Sequence, residues 1–194
     1  MRTLVWLVPC IFRSSIFLLA QVFPLHAQSI EEKAATCGAC HGEAGIPQEK
    51  TTPIIWGQQE GYLYLQLRDF KRGMRKNEKM SPIADALERE DMLALAAFFA
   101  QKSWPSLEQP SASKDMATRA LTAISSVGCT GCHLDQFQGD ASVPRLAGQS
   151  REYLAKTIAD FRTRERANNP GMSDLMNATS QDDLAAITEY LAGR

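Results

Sequence analysis

Two five-residue segments, "CGACH" at 37–41 and "CTGCH" at 129–133, contain most of the cysteine and histidine in this chain. Of its five cysteines and three histidines, only Cys10 and His26 lie outside these segments. On a helix, the two thiols and the imidazole of such a segment stand at i, i+3 and i+4, so they share one face. The pattern is typical of covalent haem attachment, in which two thioethers hold the porphyrin and the histidine binds its iron.

Two other kinds of site also use paired cysteines. Two C-x-x-C pairs can bind one zinc ion, and a single pair can form a redox-active dithiol. Neither alternative explains why a histidine follows the second cysteine both times, and no βαβ pattern surrounds either pair. The sequence therefore predicts two covalently bound c-type haems. The predicted attachment residues are Cys37, Cys40, Cys129 and Cys132, and the predicted histidine ligands are His41 and His133.

The two segments belong to an internal repeat. Cys37 and Cys129 are 92 positions apart, as are Met80 and Met172. Between these anchors, "PIIWGQQEGYLYLQLRDF" at 53–70 aligns with "PRLAGQSREYLAKTIADF" at 144–161 at an offset of 91. A repeat of this length indicates two similar domains, each with so small a core that we expect it to need its haem to fold.

The sixth ligand of each iron follows by elimination. After residue 27, every histidine and cysteine belongs to one of the two segments, which leaves methionine as the available ligand. Only Met80 and Met172 recur at the spacing of the motifs, and Met176, one helical turn after Met172, remains the alternative in the second half. We also expect the carbonyls of Pro53 and Pro144 to accept hydrogen bonds from the two histidine rings.

Helices are the elements that must position these residues. Apolar residues at three- and four-residue intervals predict helices over 29–40, 61–70, 89–101, 114–128, 152–161 and 181–192, the last capped by Ser180 or Thr179. No alternating run is long enough for a sheet. The Pro- and Ser-rich segment 102–114 is typical of a linker, so we place the domains at 28–107 and 108–194.

Residues 1–27 have the features of a cleaved signal peptide. Arg2 and Arg13 precede an apolar run that ends near Ala27 and is shorter than the ~20 residues of a membrane-spanning helix. Cleavage would lower Lys plus Arg from 21 to 19, against 22 Asp plus Glu, a balance that argues against nucleic-acid binding. We therefore predict export to the periplasm, with at most peripheral membrane association.

The order C-x-x-C-H, P-x-x-x-G-Q, Y-L, D-F and a methionine before a closing amphipathic helix, present twice, resembles cytochrome c4-type dihaem electron carriers. The resemblance implies an all-α fold of two tandem class I cytochrome c domains, packed about a pseudo-twofold axis with haem propionates near the domain interface. It also implies a shuttle between quinol-oxidising complexes and terminal oxidases.

Two other functions remain open at this point. One is an electron-transfer subunit of a flavin- or metal-dependent dehydrogenase complex. The other is an enzyme in which one methionine leaves its iron to admit a substrate. For an electron carrier, we expect the basic residues before each methionine to attract an acidic redox partner. These residues are Lys71, Arg72, Arg75, Lys76 and Lys79 before Met80, and Arg162, Arg164 and Arg166 before Met172.

Overall fold

The computed structural model describes residues 28–194, and helices joined by loops make up this part of the chain. It contains nine helices and a single isolated β-bridge, between Asp140 and Val143. None of the helices in residues 28–194 is long and apolar enough to cross a membrane. The predicted signal peptide, with Cys10 and His26, lies outside the described residues.

The first half of the chain folds as four helices. These are α1 (Ile30–His41), α2 (Glu60–Lys71), α3 (Met80–Asp85) and α4 (Arg89–Ala100). A capping box begins α1, where the Ser29 hydroxyl accepts from the Glu32 amide and the Glu32 carboxylate accepts from the Ser29 amide. Helices α1 and α2 both pack against α4. The buried residues between them are Ala34, Leu63, Leu95, Ala96 and Phe99.

The second half repeats this arrangement with one additional helix. Its elements are α5 (Lys114–Val127), α6 (Thr130–His133), α7 (Arg151–Thr163), α8 (Pro170–Ala178) and α9 (Gln181–Ala192). Helix α9 packs against both α5 and α7, and α8 packs against α7. Ser180 is the N-cap of α9, as predicted, whereas the Thr179 hydroxyl donates to the Leu175 carbonyl instead.

All six predicted helices are present, with ends that differ from the prediction by at most two residues. The three short helices α3, α6 and α8 were not predicted, because four to nine residues carry too little periodicity to detect. A local signal did exist for α8, since Asn169 is its N-cap and Pro170 its first residue. Two of these three helices contain the predicted methionine ligands.

The segment between Ala100 and Lys114 contains no helix and lies against both halves. Trp104 packs on Gly57 and Gly148, which occupy equivalent positions in the repeat. Both glycines have positive φ, and a Cβ on Gly57 would lie 2.8 Å from the Trp104 backbone nitrogen. Glycine is therefore required where the linker crosses the first half. The boundary between residues 107 and 108 falls in this segment and stays a prediction.

Candidate haem-binding sites

The first motif lies entirely within α1, where His41 is the last residue. Cys37 is half-buried beside the core of the first half, and Cys40 is exposed. The helix brings both thiols and the imidazole to one face, as the spacing predicted. Burial raises the pKa of the Cys37 thiol. None of the four cysteines in the described residues forms a disulfide, so all four thiols are available for other bonds.

The second motif is not a direct continuation of the preceding helix, which ends one residue before the end of the predicted span of 114–128. Helix α5 ends at Val127 because Gly128 adopts the left-handed conformation, with φ 78°. The motif then forms its own turn, α6, with Cys129 as the N-cap. The i to i+4 hydrogen bond from the His133 amide to the Cys129 carbonyl, at 3.0 Å, preserves the helical arrangement of the motif. The two sites therefore present the same three side chains on locally different backbones.

Both motif histidines are buried and oriented by a proline carbonyl. His41 Nδ1 lies 2.8 Å from the Pro53 carbonyl oxygen, and His133 Nδ1 lies 3.1 Å from that of Pro144. Since a carbonyl only accepts, Nδ1 carries the proton in both rings and Nε2 is left with its lone pair. Burial lowers the pKa of both histidines, with the proline carbonyl acting in the opposite direction. Burial therefore favours the neutral form of both rings, and the predicted contacts with the two prolines are confirmed.

The two predicted methionines occupy equivalent places at the start of short helices. The Met80 amide donates to the Asn77 side-chain oxygen at 2.9 Å, and the Met172 amide donates to that of Asn169 at 3.2 Å. Both methionines are half-buried. Met176, the alternative, is 6% exposed and packs between Phe161 and Leu184 in the core. The asparagine caps were missed in the sequence, although they too recur at the 92-residue spacing.

A cation at equivalent positions of α2 and α7 holds each methionine helix in place. Lys71 Nζ donates to the carbonyls of Asp85 and Leu87, at 2.8 and 2.7 Å. Arg162 Nη1 donates to the carbonyls of Met176 and Thr179, at 3.1 and 2.6 Å. Carbonyls at a helix C-terminus lack partners within the helix and carry partial negative charge, so a cation stabilises them. Lys71 is therefore a structural residue, which corrects its predicted role in docking.

We expect Lys71→Met to loosen α3 and lower the free energy of unfolding by about 1–2 kcal/mol, since two charge-assisted hydrogen bonds are lost at a partly exposed site. The measurement is chemical denaturation of the haem-loaded protein. Arg72→Met is the matched control, because Arg72 is exposed and its side chain makes no hydrogen bond within the described residues. Equal stability of the two variants would contradict the anchoring role.

Known proteins share both the sequence pattern and the fold. No protein-family model matches the chain. The chain is 35% identical to cytochrome c4 of Azotobacter vinelandii over 179 residues, which cover 83% of this chain and 85% of the relative. The chain belongs to the cytochrome c4 family. It also matches the crystal structure of reduced recombinant cytochrome c4 from Pseudomonas stutzeri with a TM-score of 0.74 and 30% identity, over 86% of this chain and 99% of that one.

Another relative carries a different name. The protein named thiosulfate dehydrogenase electron acceptor, from Stutzerimonas stutzeri, is 34% identical over 170 residues, covering 82% of this chain and 79% of the relative.

As a cytochrome c4, the chain carries two covalently bound c-type haems in an all-α fold of two class I cytochrome c domains, and it is an electron carrier rather than an enzyme. These predictions from the sequence are confirmed.

The described residues offer little support for the two other cysteine chemistries. In residues 28–194, no three His, Cys, Asp or Glu side chains are grouped to hold one metal ion, as a zinc site would require. A thioredoxin-like dithiol would need a sheet, and this range contains no strand beyond the isolated bridge. The surroundings of the cysteines suit a haem instead, because apolar side chains adjoin Cys37 and Cys129 in the cores of their halves.

A cluster of arginine and tyrosine crosses between the halves, and sequence reasoning missed it. Arg75 Nη2 donates to the Tyr153 hydroxyl at 3.1 Å, and Arg166 Nη2 donates to the Tyr62 hydroxyl at 3.2 Å. Gln66 accepts from both guanidinium groups. The two arginines are equivalent in the repeat, as are the two tyrosines, so the interface is reciprocal. This arrangement agrees with the expected pseudo-twofold packing.

The positive charge of the arginine and tyrosine cluster is not balanced by a paired carboxylate within the described residues. Within the described residues, neither Arg75 nor Arg166 pairs with a carboxylate. Burial by itself raises the pKa of Tyr153, but the positive charges of Arg75 and Arg166 lower it to about 7. A carboxylate nearby would relieve this imbalance. The cluster therefore fits the expectation that the acidic propionates of the haems lie near the interface.

Proposed function

We propose that this cytochrome c4 accepts electrons from a quinol-oxidising complex and delivers them to a terminal oxidase in the periplasm. The observation that supports it most directly is the pair of equivalent sites, each combining a carbonyl-oriented neutral histidine with a half-buried methionine. A histidine and a methionine that both bind the iron would leave no position on it for a substrate, so each site would suit electron transfer alone. The features of residues 1–27 support the periplasmic location.

The proposed haem-binding residues divide equally between the halves. In each half, two cysteines would form the thioethers, and a histidine and a methionine would bind the iron. A c-type haem supplies an iron centre that gains and loses one electron, and ligation by histidine and methionine favours a high reduction potential. The proposed sets are Cys37, Cys40, His41 and Met80, and Cys129, Cys132, His133 and Met172.

The proposed route is tested by electron delivery to the purified, haem-loaded chain. A membrane preparation that contains the native quinol-oxidising complex should reduce it, and the native terminal oxidase should reoxidise it. The name of the Stutzerimonas relative favours one second candidate, an electron acceptor for a dehydrogenase. Reduction by a purified thiosulfate dehydrogenase with thiosulfate, but not by the quinol-oxidising complex, would replace the proposed donor with this one.

The proposed docking surface is smaller than the sequence predicted. Besides Lys71, Arg75 and Arg166 are engaged at the interface, and Arg162 binds carbonyls. Lys79 pairs with Glu49 at 3.0 Å, and Arg164 pairs with Asp174 at 2.7 Å. Arg72 and Lys76 remain exposed beside the methionine helix, and Ile83, on that helix, is also exposed. An exposed apolar side chain with basic neighbours suits a transient redox contact, in which charge accelerates the encounter.

Reversing both charges with Arg72→Glu and Lys76→Glu should slow oxidation by the terminal oxidase about tenfold at low salt, because steering of the acidic partner is lost. The difference should shrink as added salt shortens the Debye length from ~10 Å at 0.1 M to ~3 Å at 1 M. Stopped-flow kinetics measures both rates. The control is Lys114→Glu with Arg194→Glu, which changes net charge equally at exposed positions outside the two segments that lead to Met80 and Met172. Equal slowing in both proteins would show that net charge, and not this surface, sets the rate.

A further inference from the structure

Two buried glutamines join the halves through reciprocal hydrogen bonds. Gln58 and Gln149, only 4% and 2% exposed, occupy equivalent positions directly after the glycines of the two G-Q turns. Gln149 Oε1 accepts from the Ile54 amide at 2.9 Å, and its Nε2 donates to the Ile54 carbonyl at 3.0 Å. Gln58 Oε1 accepts from the Arg145 amide at 2.7 Å, and its Nε2 donates to the Arg145 carbonyl at 3.0 Å.

Each glutamine is held in a single orientation. Gln58 Oε1 also accepts from the following amide, that of Gln59, and Gln149 Oε1 accepts from that of Ser150. Because each oxygen faces two amide donors and each nitrogen faces a carbonyl, exchanging the two ends of the side chain would leave both without partners. The contact across the interface is therefore fixed in direction as well as in place.

The residues bonded by these glutamines directly follow the prolines that orient the histidines. The Pro53 carbonyl and the Ile54 amide belong to one peptide unit, which is planar and points its C=O and N–H in opposite directions. His41 Nδ1–H donates to one end of this unit, and Gln149 accepts at the other end. The Pro144–Arg145 unit lies in the same way between His133 and Gln58.

Hydrogen bonds in such a series polarise one another. When an amide N–H donates, the carbonyl of its peptide unit becomes a better acceptor, by about 10–30% per bond. A better acceptor at Pro53 draws the Nδ1 proton of His41 more strongly and makes the imidazole a more basic ligand. A more basic ligand stabilises the oxidised iron. The side chain of one half therefore acts on the histidine of the other.

We propose that Gln149 tunes the potential of the haem in the N-terminal half and that Gln58 tunes that of the haem in the C-terminal half. The inference rests on the proposed histidine ligands and adds two positioning residues, each acting across the interface. It also makes the relative placement of the halves part of the redox chemistry, because separating them would remove both glutamines from their peptide units.

The test replaces each glutamine by methionine, which has similar length and forms no comparable hydrogen bond. In Gln149→Met, the ratio of reduced to oxidised iron at a fixed solution potential should rise about twofold to fivefold for the N-terminal haem, with an upper limit set by one net hydrogen bond. The C-terminal haem should change much less. In Gln58→Met, the ratio should rise for the C-terminal haem and change much less for the N-terminal haem. Potentiometric titration followed by NMR, which resolves the two haems, measures both ratios.

The matched control is Gln109→Met. Gln109 donates to the Gln149 and Ala192 carbonyls and accepts from the Arg151 amide. Its replacement therefore removes as many hydrogen bonds as Gln149→Met, but none of them involves a peptide unit that accepts from a motif histidine. A shift of the same size in this control would overturn the proposal. So would a shift confined to the haem in the same half as the substitution, or an equal shift at both haems.

Two further measurements separate tuning from general disruption. Amide exchange at Ile54 should accelerate in Gln149→Met, since the Ile54 amide loses its acceptor. Gln149→Glu keeps an oxygen acceptor for this amide and should not raise the N-terminal ratio, and a rise equal to that of Gln149→Met would overturn the inference. If the unaltered chain lacks histidine ligation in either half, the proposed haem ligands fail. If both haems are correctly ligated but neither glutamine affects the haem of the other half, only the tuning is refuted.

Discussion

Replacing both Cys129 and Cys132 by alanine should leave one haem on the chain and unfold most of its C-terminal half. Half of the buried residues in the main core of this half are alanines, among them Ala120, Ala123 and Ala147. A domain of roughly 80 residues gains only about 3–5 kcal/mol from a single core. A covalently held haem adds a large apolar surface beside Cys129, so losing the haem should remove most of the free energy that keeps this half folded.

Denaturing mass spectrometry should show the mass of one haem, and circular dichroism should lose about half of its helical signal, because slightly more than half of the described helical residues lie in α5–α9. Cys37→Ala with Cys40→Ala is the matched variant and should affect the N-terminal half instead. Full helicity with a single haem would show that the C-terminal half folds without its cofactor.

The local features of this fold were largely evident in the sequence. Helices with a capping residue and a continuous apolar face, such as α1 and α9, were predicted almost to the residue. The predicted helix before the second motif was one residue too long, because Gly128, which stands where the first half has Thr36, adopts the left-handed conformation that ends α5 at Val127. The motif spacing alone predicted the two covalent haems, since i, i+3 and i+4 share a face in both backbones.

The interface between the halves could not be derived from local patterns, because its partners are 78 to 104 positions apart in the chain. The signal that existed was the repeat itself. Gln58 and Gln149, and Tyr62 and Tyr153, were aligned from the sequence, but polar residues that recur in a duplicated chain suggest either a shared internal role or a contact between copies. Only the fold distinguishes these. For the same reason, Lys71 was predicted to attract a partner at the surface, whereas its side chain donates to two backbone carbonyls.

The choice between Met172 and Met176 has direct consequences for the second haem. Met172 matches Met80 in its position in the repeat, in its partial burial and in the asparagine that accepts from its amide. Met176 is equivalent to Ala84, which is fully buried where α3 packs against α2. The thioether of Met176 therefore fills a place that a methyl group fills in the first half. This comparison supports Met172 as the ligand and Met176 as a core residue.

Substituting leucine for each methionine in turn should separate the two roles, because leucine preserves most of the volume but has no sulfur. In Met172→Leu, we expect loss of the weak absorption band of methionine-ligated oxidised haem at the red end of the visible spectrum, for one haem of the two. The potential of that haem should fall by on the order of 0.1 V, part of the ~0.8 V range that axial ligands span. In Met176→Leu, both haems should retain the band, and the free energy of unfolding should fall by less than about 1.5 kcal/mol. The reverse result, with the band lost only in Met176→Leu, would assign the iron ligand to Met176. Helix α8 would then have to move when haem is bound, so that Met176 leaves the core and reaches the iron.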